Sequence, residues 1–415
     1  MSIETTTTGQ PLLKRLYDDG GQKALYPESS LFGAIPKNTV FAGDDFRITA
    51  ILSTITGSND YDRAHQNQST SAKRSFNVTR TPSYVLGTIS NEAIMASASD
   101  DGAMENLLKL HTDMALAEWS RRNGIYLCGN GGGSLAQLST TVAPSGTTLT
   151  LQNPLDAVFF EDRMILQCAN DDGLAAGGVH AGRLTVTGVD PVAGTLTTLE
   201  AVTTVPDWGT SDYLFRDGDY NNVIAGILRW ITTSASPAAL FGATRTDYPH
   251  KLAGIRYTQG AGGPVENTIV RAASYGQIFG ARKMNVAVIN SRRHSDLALS
   301  LQARSRYEPA KLQAGEQRVN GKAVSQANIF YDGFKIMTAG GPLFVLSDPV
   351  WSYDHALLTE LDSWELRALG ELPHFDKFAG DRYFVDTNTD GKQFRIKSYM
   401  NNICFRPNNS VLATL

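Results

Sequence analysis

The sequence predicts an α+β protein with an inserted all-β segment. Five short strand candidates crowd into residues 145–219, bounded by Pro, Gly and Asp. A long stretch before them carries apolar residues at helical spacing, and the last third returns to strands. Helices and strands are mixed without a βαβα rhythm, so an α+β class fits better than a parallel α/β one. At 415 residues and 42% hydrophobic content the chain can bury more than one core.

The elements follow in order. Residues 1–45 read as an extended arm, because TTTT, DDGGQ, YPESS and AIPKN interrupt isolated apolar residues such as Leu12, Leu16, Leu25, Leu31 and Phe32. Residues 46–90 read as a long β-hairpin. Its strands are DDFRITAILST (44–54) and FNVTRTPSYVLGTIS (76–90), and TGSNDYDRAHQNQSTSAKRS between them is polar and long for a compact domain. Residues 91–144 hold a helix and a connector. Met104, Leu107, Leu108, Met114, Ala115 and Trp119 lie near helical spacing, Asp100 or Asp101 is the N-cap, and Asn123-Gly124 is the stop after Arg121 and Arg122.

The inserted segment, residues 145–219, comprises TTLTLQ, RMILQCA, GRLTVTGVD, GTLTTLEAV and DYLFRDG, read as a small antiparallel barrel. Residues 220–415 then bring NNVIAGILRWI, a helix PVENTIVRAASYGQIF starting at Pro264, the buried strand NVAVIN and the helical RRHSDLALSLQARSR. The strands NIFYDGFKIMTA, GPLFVLSDP, KQFRIKSYM and NNICFRP close the chain.

GIYLCGNGGGSLAQL (124–138) opens like a phosphate-cradling loop, but its flanks are wrong. A dinucleotide fingerprint needs a strand before the glycines and a helix after them, whereas here a helix precedes and Thr- and Val-rich strands follow. No Gly-Lys-Ser/Thr occurs, so the glycines read as a mobile connector or pivot. Asp386, Asn388, Asp390 and Gly391 match the opening of an EF-hand loop, yet Lys397 stands where a bidentate Glu is needed; an Asp-Gly hairpin turn is the simpler reading. The seven histidines are scattered without metal-site spacing, and there is no nucleophile elbow. The pairs Asp100/Asp101, Glu161/Asp162 and Asp171/Asp172 sit in turn-like contexts that suit capping. Cys128, Cys168 and Cys404 lie far apart and read as core residues of a reduced protein. The expectation is no enzyme, no cofactor and no metal. A net charge of −4 removes the basis for strong phosphate binding, and the absence of a long apolar run or signal segment removes the basis for a membrane span or export.

Taken together, FRITAILS…FNVTRTPSYVLG, DDGAMENLLKLHTDMALAEWSRRNG, LCGNGGGSLAQL, AGRLTVTGVDPVAGTLTTLEAV with LFRDGDYNNVIAGILRWI, LFGATRTDYPHKLAG and MNVAVINSRRHSDLALSLQARSR resemble the major capsid proteins of tailed bacteriophages, the Hong Kong 97-type fold. The resemblance implies an N-terminal arm, an extended loop, a spine helix in a peripheral domain, and an axial domain within 220–415. It also implies a virion protein, made in the host cytoplasm, that assembles with itself into hexamers and pentamers of an icosahedral shell. Scaffolding, portal or decoration proteins would be further partners, and packaged double-stranded DNA would be touched only by weak non-specific contact. The alternatives are an encapsulin-like compartment or another virion structural protein, and, further off, a cofactor-binding enzyme. Some relatives cross-link through a Lys and an Asn; Lys73 lies in the loop, but no pattern carries that chemistry over.

One physical consideration stands beside the resemblance. Ordering a loop costs about 1–2 kcal/mol per residue in backbone entropy. The polar stretch from Gly57 to Pro82 offers little burial to offset it beyond Tyr61, Phe76 and Val78. A neighbouring copy of the chain is the economical source of order, and Tyr61, Arg63, Lys73, Arg74 and Phe76 are the candidate assembly residues.

Overall fold

A computed structural model of the chain describes residues 29–415 except 97–106, 378–382, 386–389, most of 303–334, and scattered positions at 56, 176, 206, 259–262, 282–283 and 339. The N-caps expected at Asp100 or Asp101 and the calcium-loop positions Asp386 and Asn388 lie outside the described residues. The chain divides into two compact units.

The larger unit comprises 27–83, 120–374 and 398–415. Its centre is a six-stranded mixed sheet in the order Ile255–Thr258, Val411–Thr414, His355–Thr359, Val286–Asn290, Gly341–Asp348, Lys335–Thr338. The strand Val286–Asn290 is nearly uniformly buried, as a central strand covered on both faces must be. Helix Val265–Ile278 contributes Ile269, Ala272 and Ala273 to the core, and helix Ser291–Gln302 contributes Leu297; both pack with Ile255, Ala287, Ile289, Leu358 and Val411. Small residues on the first helix let its backbone lie close to the sheet.

Five expected strands of the insert are present, as Thr148–Thr150, Ile165–Ala169, Leu184–Asp190, Thr195–Thr198 and Tyr213–Arg216. A sixth, Ser134–Gln137, comes from the segment read as connector. All neighbours in this sheet are antiparallel. Its two edge strands meet through the Leu138–Leu151 bridge and through Ser139 N–H to Thr150 O at 2.8 Å, so the sheet closes into a barrel. Leu149, Leu166, Leu184, Leu196 and Leu214 fill it and are fully buried. Closure removes the free edges that an isolated sheet would expose.

Several expectations are corrected. The helix does not stop at Asn123-Gly124 but runs from Leu107 to Cys128. Gly124 stands inside it because a Cβ there would come within 2.9 Å of Ser29 Cβ; it serves a close approach and not a stop. Arg121 and Arg122 are accordingly not in its last turn. Arg121 pairs with Glu161 and donates to Val158 O at 3.0 Å, while Arg122 pairs with Asp219. The glycines after the helix are no mobile connector either. Gly131 and Gly133 have φ of 80° and 93°, and a methyl group on Gly132 would collide with the carbonyl of Asp172. This is a packed backbone crossing, held by Asn221 N–H to Gly132 O and Leu228 N–H to Gly129 O. Within the expected arm, residues 29–41 pack into the larger unit. Leu31, Phe32, Ile35 and Phe41 are buried, and Lys37–Asn38 lies parallel to Trp364–Ala368.

The smaller unit includes 84–119 and 375–397. Strand Thr81–Ser90 pairs there with the long strand Gly391–Cys404, which also takes Tyr383–Val385. KQFRIKSYM and NNICFRP, read as two strands, thus form one. Lys397 binds Asp376 at 2.6 Å. Among the described residues no helix is long and apolar enough to cross a membrane.

Candidate assembly hairpin

Strands Asp45–Ile51 and Lys73–Thr79 pair antiparallel along their whole length, from Asp45–Thr79 to Ile51–Lys73. The hairpin is therefore shorter than its sequence suggests. The return strand is Lys73–Thr79, and Thr81–Ser90 leaves to pair elsewhere; between them the Arg80 guanidinium donates to Phe41 O at 2.8 Å.

The base of the hairpin belongs to the subunit's core. Alternation along Lys73–Thr79 sends Phe76 and Val78 inward. Phe76 is 1% exposed and its ring centroid lies 5.2 Å from that of Trp230, which in turn packs on Phe241. Asn77 N–H donates to Phe241 O at 2.9 Å, and Lys251 Nζ donates to Leu52 O at 2.6 Å. Beneath them Arg245 is buried, with Nε on Ala238 O and Nη1 on the carbonyls of Arg229 and Trp230. Burial, with the Arg229 charge second, pushes it down to about 10, so it remains a cation at neutral pH with carbonyl partners.

The tip differs in kind. Helix Tyr61–Gln66 has six residues, is capped by Asp60 Oδ1 accepting from Asp62 N–H at 2.9 Å, and buries none of its side chains. Tyr61 is 81% exposed and stacks on His65, with centroids 6.1 Å apart. Ile51 and Ile55 flank the tip at 68% and 71% exposure. A helix this short is not stable on propensity alone.

Of the expected assembly residues, Tyr61 and Arg63 stand exposed on this helix, and Lys73 and Arg74 stand exposed where the tip joins the strands. Arg74 Nη2 lies 3.4 Å from Asp247 Oδ2, so part of its charge is answered within the subunit. Phe76 is corrected: it is a core residue, turned inward by the strand period. The exposure of Ile51 and Ile55 was not foreseen, since ITAILSTI lacks strict alternation and does not announce which apolar residues face out.

No protein-family model matches the sequence, and no curated protein does. Among solved structures, a chain of the cyanophage A-1(L) capsid asymmetric unit superimposes with a TM-score of 0.57 at 10% identity, covering 97% of this chain and 96% of that one. The chain has the Hong Kong 97-type fold. The capsid of an empty GTA particle overlaps 100% of this chain and 99% of its own at a TM-score of 0.49 and 9% identity. An encapsulin from Synechococcus elongatus overlaps 100% and 96% at 0.45 and 7%. Those last two overlaps are too loose to carry weight.

Proposed function

We propose that the protein is the major capsid protein of a tailed bacteriophage, assembling with itself into hexamers and pentamers of an icosahedral shell around double-stranded DNA. The observation that carries this reading, given the fold, is the hairpin tip: a six-residue helix with no buried side chain, flanked by exposed Ile51 and Ile55. Such a segment is apolar enough to bind and too small to hold itself, which suits a loop laid on a neighbouring copy. The division into arm, extended loop, spine, inserted barrel and axial part follows the same reading. So does a virion location after synthesis in the host cytoplasm. With a net charge of −4, contact with DNA would be weak and non-specific.

The test is sedimentation and negative-stain microscopy of the purified chain. Closed shells of uniform diameter, or ring-shaped capsomers, are expected. A monomer at every concentration and salt tried would overturn the proposal.

A further inference from the structure

The barrel gathers three metal-ligating side chains that lie far apart in sequence. Cys168 is on strand Ile165–Ala169, and the bridge Ala169–Val179 sets His180 directly across from it, with His180 N–H donating to Cys168 O at 2.7 Å. On the other side of the same strand, Tyr213 pairs with Ala169 and Leu214 with Cys168. Asp212, two residues before Leu214, therefore shares the face of Cys168. Three neighbouring segments thus deliver a thiol, an imidazole and a carboxylate to one spot. We propose that Cys168, His180 and Asp212 bind a divalent transition metal of the zinc class.

The geometry is close to what such an ion needs. Asp212 Oδ2 lies 3.6 Å from Cys168 Sγ and 3.5 Å from His180 Nε2, and the three ligand atoms lie within 4.8 Å of one another. With metal–sulfur bonds of about 2.3 Å and metal–nitrogen or metal–oxygen bonds of about 2.0–2.2 Å, a tetrahedron has edges of roughly 3.4–3.6 Å. Two edges therefore already have the right length, and the sulfur–nitrogen edge is no longer than 4.8 Å. The donor set of one thiolate, one imidazole and one carboxylate suits zinc better than calcium or magnesium, which take oxygen ligands. Three protein ligands leave a fourth position for water.

The alternative account is a hydrogen-bonded trio, and His180 argues against it. Its Nε2 is enclosed, with the side chain 15% exposed, and lies 3.5 Å from Asp212 Oδ2 without forming a hydrogen bond to it. A buried polar atom without a hydrogen bond is costly, and a cation seated between Nε2 and Oδ2 would satisfy both atoms. Asp212 Oδ2 is also held by Gly209 N–H at 2.7 Å, the kind of outer contact that orients a ligating carboxylate. Without metal the Cys168 thiol donates its proton to Asp212 Oδ2. Binding replaces that proton: the S–H bond breaks, the sulfur lone pair forms the metal bond, and one proton is released to solvent for each ion bound. The benefit of such an ion is structural, since it would tie the segment carrying His180 to two barrel strands. A small barrel gains from such a staple.

The test uses the full-length protein, stripped with a chelator in a phosphine reductant and titrated with cobalt(II) as the spectroscopic probe. One equivalent is expected to give a thiolate-to-cobalt charge-transfer band that one equivalent of zinc abolishes. Cys168→Ser should lose the band, His180→Gln should weaken cobalt affinity at least about tenfold while keeping a far-UV spectrum like the parent's, and Cys128→Ser should leave the band intact. A folded parent protein with no band overturns the proposal, as does a band that survives Cys168→Ser. Should Cys168→Ser fail to fold, His180→Gln decides: unchanged cobalt affinity overturns the site.

Discussion

The barrel and the hairpin tip are both excursions from the central sheet, and they solve the problem of order in opposite ways. The barrel closes its hydrogen bonds through Leu138–Leu151 and hides five leucines completely. The tip hides none of the side chains of its helix Tyr61–Gln66. The comparison teaches that a loop's length says little about where its order comes from; what matters is whether alternate residues can meet one another inside the same chain.

The largest expected effect comes from removing the tip while keeping the base. Replacing residues 53–71 by a two-residue Asn-Gly turn between Leu52 and Ala72 preserves the Ile51–Lys73 register and spares buried Phe76 and Val78. The variant should stay soluble and unfold cooperatively, yet form no closed shells by sedimentation. Normal shells, or an insoluble chain, would place the tip's role elsewhere.

Core truncations should separate base and barrel from tip. Phe76→Ala is expected to destabilise the subunit by about 3–5 kcal/mol and Leu196→Ala by about 2–5 kcal/mol, in denaturant titrations. Tyr61→Ala should leave subunit unfolding unchanged and weaken assembly alone. Equal losses at Leu196 and Tyr61 would erase the distinction.

A smaller effect belongs to Asp156, in the turn Pro154–Phe159 between barrel strands. Burial first, and Asp354 second, raise its carboxyl to about 7, against the opposing hydrogen bond from Asn153. The folded chain then keeps a proton that the unfolded chain gives up near pH 4. This carboxyl favours the folded state at acid pH, and that contribution is lost as pH rises from about 4 through 7. Asp156→Asn should raise the thermal midpoint at pH 8 and leave it unchanged at pH 4. The smallest effect is Lys73→Glu. An exposed ion pair is worth only about 0–1 kcal/mol, so slower, salt-sensitive assembly with unaltered melting is expected.

Much of the barrel was legible because its strands alternate Thr, Leu and Val between Gly, Pro and Asp punctuation. Ser134–Gln137 was not, since SLAQ follows a glycine run and lacks β-branched residues; only its partners Tyr213–Arg216 make it a strand. Gly124 misled for a related reason. A glycine after Asn reads as a helix end, but Ser29 packs against it from nearly a hundred residues away, and no local window contains that contact. The hairpin's polar tip was legible as a segment with little of its own to bury, and its helix Tyr61–Gln66 buries no side chain. That Phe76 lies beneath it and not on it depends on Trp230 and Phe241.

By itself the sequence determined the α+β class, the inserted barrel's strands and the contrast between an apolar core and a polar hairpin tip. Those properties are written in short-range period and turn chemistry, which act over a few residues. Only the tertiary structure decided which strand returns along the hairpin, that the long helix ends at Cys128, how the barrel closes, and that Cys168, His180 and Asp212 meet. Each of these depends on backbone hydrogen bonds or close packing between residues tens to hundreds of positions apart, where sequence spacing carries no distance information.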